Sequence, residues 1–61
     1  MILYQVVTAD ITAGVVVNGN QIVAAQPILA WARGKHLLDI RRWARQRGGA
    51  VECIGPISWE T

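Results

Sequence analysis

The dipeptide Asn18-Gly19 lies between two apolar runs, Val15-Val16-Val17 and Ile22-Val23-Ala24-Ala25. Both of its residues tolerate positive φ, which the type I′ turn of a two-residue β-hairpin requires. It predicts a hairpin of strands over 12–17 and 21–25. Gly14, within the first of these strands, signals a bulge or the close approach of another backbone. Upstream, residues 2–8 interleave Ile2, Tyr4 and Val6 with Leu3, Gln5 and Val7, in β-branched and aromatic types that favour a strand. Both sets are largely apolar, which predicts a central strand. Ala9-Asp10 breaks the pattern, and a three-stranded antiparallel meander follows.

Pro27 stops the third strand and can seat a short helix of one or two turns over 28–33, ended by Gly34. A longer helix is expected over 35–47, where Leu37, Ile40 and Ala44 recur at i, i+3 and i+7 as one apolar stripe, flanked by Trp43. Gly48-Gly49 ends it, and Arg45 and Arg47 suit its negative C-terminal end. Residues 50–54 read as a fourth strand, broken by Gly55-Pro56, and Trp59 in the apolar tail is expected to dock on other residues. The fold class is α+β in the order β-β-β-α-β, with one main helix packed on the sheet. A right-handed crossover predicts a fourth strand parallel to the first or the third. Ile2, Leu3, Val6 and Val7 cannot all point at one helix, and this surplus predicts a homodimer through the second sheet face or an edge strand.

A chain of 61 residues buries only about 60% of its unfolded surface, enough for a single domain over 1–61 and too little for separate substrate and cofactor lobes. With 52% hydrophobic and 16% charged residues, it is too apolar for intrinsic disorder. Cys53 has no internal disulfide partner, which favours a reducing compartment. No apolar run is long enough for a membrane span, and Met1-Ile2-Leu3-Tyr4 carries no basic leader, so a cytoplasmic location is expected. One histidine and one cysteine cannot build a four-ligand zinc site, and neither a metal nor a cofactor is expected.

A nucleophilic site would need His36 and Cys53 together, with Asp39 to orient them, but their spacing matches no known arrangement. The reading preferred is a core cysteine and a histidine at a helix end, with no catalytic activity. Asp39 is placed to pair with Lys35 and Arg42 along the helix. Arg33-Gly34-Lys35 is similar to an anion cradle, but it lacks the long glycine-rich loop and hydroxyl ligand of a phosphate loop, and a glycine break between helices is preferred. Trp31, Trp43 and Trp59 could stack on single-stranded bases. The preferred assignment for them is core or interface, where tryptophan buries a large area.

Charge layout is the most informative functional feature. All six basic residues fall within 33–47, with Asp39 the one acid there, while the rest of the chain carries only Asp10, Glu52 and Glu60. On a helix, Lys35, Arg41, Arg42 and Arg45 share an arc of about 120° with Leu38 at its middle. Such a face suits an acidic protein surface or a phosphate backbone, and a solvated helix face is the plain alternative. A net charge of only +2 weakens the nucleic-acid option. The expected function is therefore an interaction module docking Lys35, Leu38, Arg41, Arg42 and Arg45 on an acidic partner protein, with nucleic-acid binding through the same face second.

The run Thr12-Ala13-Gly14-Val15-Val16-Val17, the Asn18-Gly19 turn, the segment Ala25-Gln26-Pro27-Ile28-Leu29-Ala30-Trp31 and Gly34-Lys35 together resemble small uncharacterised proteins encoded by bacteriophages and prophages. The resemblance covers most of 12–49. It implies an accessory protein acting inside an infected bacterium, on host machinery or nucleic acid, and carries no established activity or site residues.

Overall fold

The computed structural model describes residues 1–57; Trp59 and its expected docking lie outside the described residues. The chain forms strands β1 (Ile2–Val7), β2 (Thr12–Asn18) and β3 (Gln21–Ala25), a 3-10 segment (Pro27–Ala32), helix α1 (Leu37–Gln46) and strand β4 (Ala50–Pro56). The sheet order is β3-β2-β1-β4, with every neighbouring pair antiparallel. The meander and the central place of β1 are as its two apolar faces require.

Strand β4 enters the sheet antiparallel to β1, not parallel to β1 or β3. The cause is a second pass over the sheet. After β3 the chain returns through the 3-10 segment to the start of that strand. There the Ile22 amide donates to the Lys35 carbonyl at 2.9 Å, the Gly34 amide to Ile22 at 2.8 Å and the Leu37 amide to Asn20 at 2.7 Å. Helix α1 then climbs the sheet again and delivers Ala50 opposite Val7, at the end of β1. A single helix would have delivered a parallel strand; two passes reverse the entry.

The hairpin turn is displaced by one residue from the expectation. Asn18 pairs with Gln21, so Gly19-Asn20 is the loop. Gly19 has φ 67° and, among the described residues, no non-glycine residue has positive φ, the sign pattern of a type II′ turn with glycine first. In this register Val17 faces Ile22, and both are buried. The Asn18-Gly19 loop would instead oppose Val17 with the polar Asn20. A bulge between Val16 and Val17 leaves Val23 without a partner and sets Ala24 opposite Val16 and Ala25 opposite Val15.

Gly14 is not at a bulge. It makes the close approach that its lack of a side chain permits: its amide donates to Gln26 Oε1 at 2.7 Å, and its carbonyl accepts from the Gln26 amide at 3.1 Å. The short helix over 28–33 is a 3-10 segment. Its two buried residues, Leu29 and Ala32, are three apart, which matches three residues per turn.

The core lies between one sheet face and the helical layer. Val6, Ala13, Val15, Val17 and Ile22 meet Leu29 and Ala32 from the 3-10 segment and the expected stripe Leu37, Ile40 and Ala44 from α1. Burying each large aliphatic here contributes about 1.5–3 kcal/mol. The 3-10 segment packs on β2 and β3, while α1 packs on β1 and β4. The opposite sheet face has no covering layer among the described residues. Gly14 hollows it into a trough of about 560 Å³, bordered by Leu3, Val16, Ala24, Ile54 and Ile57.

Candidate functional site

Both ends of α1 are locked by local hydrogen bonds. His36 is the N-cap, and its Nδ1 accepts from the Leu38 amide at 3.0 Å. At the other end the Gly48 amide donates to Arg45 at 3.1 Å and the Gly49 amide to Ala44 at 2.8 Å, the paired bonds of a Schellman ending. Gly48 supplies the required positive φ of 74°. With its buried stripe against the sheet, the helix has two fixed flanks.

The flank toward β4 carries Leu38, Arg41, Arg42 and Arg45. With Gly49, Ala50 and Val51 they line a groove of about 440 Å³ between the helix and the edge strand. All four side chains belong to exposed residues, and Leu38 is 55% exposed, an apolar group among cations. The Arg41 guanidinium lies 5.8 Å from the Tyr4 ring centroid, which steadies one end of the groove by a cation–π contact. Among the described residues, no side-chain hydrogen bond engages Arg41, Arg42 or Arg45. The Asp39 pairs with Lys35 and Arg42 are not formed either.

Lys35 stands apart from this group. The helix begins at Leu37, not at residue 35, so Lys35 belongs to the bridge that runs beside β3 and does not line the groove. The anion cradle at Arg33-Gly34-Lys35 is not built, because its amides are already committed. Gly34 donates to Ile22 and Lys35 to Ala32 at 3.0 Å, while the first amides of α1 go to Asn20 and His36.

The second flank holds a feature the charge pattern missed. The Arg47 guanidinium lies 4.7 Å from the Trp43 ring centroid, and Trp43 meets Trp31 at 5.2 Å with a 59° tilt. Trp43 is half-buried against the core, but Trp31 is 44% exposed. The i, i+4 spacing of Trp43 and Arg47 was the available sequence signal.

His36 and Cys53 are not brought together. His36 bridges to Gln21 on β3, and Cys53 lies on β4 at the other edge of the sheet. Three strand spacings separate the edges, about 14 Å. Cys53 is exposed, not a core residue, because β4 is an edge strand whose outer side has no neighbour among the described residues. No group of three potential metal ligands occurs among those residues, and no helix there is long and apolar enough to cross a membrane.

These features define a small α+β domain: a four-stranded antiparallel sheet, a helical layer on one face and an arginine-lined groove beside the β4 edge. No family model, curated protein or solved structure matches the chain.

Proposed function

We propose that this chain is a non-catalytic interaction module whose α1–β4 groove docks an acidic surface of a partner protein. The observation that carries the reading is the convergence of Arg41, Arg42 and Arg45 around Leu38 in one groove. Guanidinium groups bind carboxylates through paired N–H donors and are more weakly hydrated than ammonium groups. An exposed leucine at the centre adds apolar contact, so the surface combines attraction with an anchor.

Nucleic-acid binding through the same face is the second reading. Three phosphate contacts would give a salt dependence of log affinity on log salt of about −2.7. The apolar lining of Leu38 and Val51 favours a protein surface over a phosphate backbone. The resemblance to phage and prophage proteins supplies a setting for the reading, an accessory protein in a bacterial cytoplasm acting on a host component.

Affinity purification from nuclease-treated bacterial lysate tests this directly. The parent chain is expected to retain one acidic protein, and the joint variant Arg41→Glu, Arg42→Glu, Arg45→Glu to lose it with the fold intact. Equal capture by parent and variant would remove the groove as the site. Capture that disappears with nuclease would transfer the groove to the nucleic-acid reading.

A further inference from the structure

We infer that the partner's contact segment binds as an added strand on the outer edge of β4, with acidic side chains at alternate positions turned toward α1; this rests on the acidic-partner reading of the groove. Three placements lead there. First, β4 ends the sheet, and its ladder runs only to β1. Among the described residues its outer backbone groups are unpaired, which makes it a template for another strand.

Second, the groove and the edge are one surface. Ala50 and Val51 begin β4 and line the groove under Arg41, Arg42 and Arg45. Val51 pairs with the buried Val6 and Cys53 with Tyr4, so Val51 and Cys53 face the helix side, while Ala50 and Glu52 face the open side. A strand added about 4.8 Å beyond β4 would turn alternate side chains the same way. Residues opposite Val51 and Cys53 would meet the arginines, and carboxylates satisfy them. Gly55 and Pro56 limit the usable edge to residues 50–54, because proline donates no hydrogen bond.

Third, charge argues against a second copy as occupant. Pairing β4 with itself about a two-fold axis would bring two sets of three arginines to one seam. Like-charge juxtaposition opposes that seam, and an acidic strand neutralises it.

The test uses the full chain and a synthetic eight-residue peptide alternating glutamate and valine. Its controls are the same peptide N-methylated at alternate residues and a peptide with the four glutamates in one block. The alternating peptide is expected to bind at least tenfold more tightly than either control and to slow amide exchange at residues 50–54. Equal binding of all three peptides, lost on charge reversal of the three arginines, would overturn the added strand and leave the acidic groove standing. Binding that survives charge reversal would overturn both. Slow exchange at 50–54 in the free chain, with a dimer in sedimentation, would give the edge to a second copy and overturn the inference. Tighter binding of a single-stranded oligonucleotide at the same residues would also overturn it.

Discussion

The Val7 carbonyl oxygen occupies the space where a side chain on Gly49 would begin, and the Cα of Thr8 also lies inside contact distance of that position. The end of α1 and the end of β1 are therefore backbone to backbone. Gly49→Ala must push them apart and is expected to destabilise the fold by about 2–4 kcal/mol, near the upper range for overpacking. Its neighbour Gly48 has open space around it but a φ of 74°, so Gly48→Ala should cost only about 1–2 kcal/mol. Urea denaturation of the two variants measures both; equal losses would contradict the close approach.

His36 caps α1 through a ring nitrogen rather than a hydroxyl or carboxylate. Removing the acceptor with His36→Ala is expected to cost about 1 kcal/mol, and His36→Asp to restore most of it, since aspartate caps well and suits the positive helix end. Thermal unfolding monitored at 222 nm reads the difference. A His36→Asp variant no more stable than His36→Ala would dismiss the capping role.

The three groove arginines differ in what they contribute to stability. Among the described residues, Arg41 alone of the three packs on an aromatic ring, that of Tyr4. Arg41→Gln should lose about 0.5–1 kcal/mol. Arg42→Gln and Arg45→Gln should stay within about 0.5 kcal/mol of the parent, as for other exposed substitutions. Denaturation midpoints of the three single variants check this ordering, and a large loss at Arg42 or Arg45 would reveal a structural role.

The sheet face that the described residues leave uncovered would allow the expected homodimer only as a weak association. Four strands about 4.8 Å apart and about 20 Å long make a face of roughly 400 Å², so two faces together bury roughly 800 Å², below the ~1,200 Å² of stable interfaces. Sedimentation equilibrium should find monomer at low micromolar concentration and dimer only at high micromolar. Leu3→Asp, on the rim of the trough, should abolish the dimer. A tight dimer at nanomolar concentration would contradict this estimate.

The local elements were legible because their signals are local. The stripe Leu37, Ile40 and Ala44 repeats with the period of the helix it belongs to, and all three residues are buried. The alternation in Ile2–Val7 marks a strand with two apolar faces, and β1 sits between two neighbours. Arg41, Arg42 and Arg45 share a flank because their spacing on one helix puts them there. The start of that helix was less legible, since periodicity does not register that His36 caps it, and Lys35 was carried into the arc for that reason. The turn slipped by one residue because apolar pairing of Val17 with Ile22 outweighs the local preference of Asn18-Gly19.

By itself, then, the amino-acid sequence determined which segments are strand or helix, the helix stripe and strand residues that form most of the core, and which helix flank is cationic. Each of these follows from side-chain period and from forces acting over a few residues. Only the tertiary structure decided the antiparallel entry of β4, the exposure of Cys53, the need for glycine at position 49 and the meeting of the arginine flank with an open strand edge. Those depend on how many times the chain crosses the sheet. That number comes from contacts between residues far apart in sequence, such as Ile22 with Lys35 and Val7 with Gly49, which no local pattern encodes.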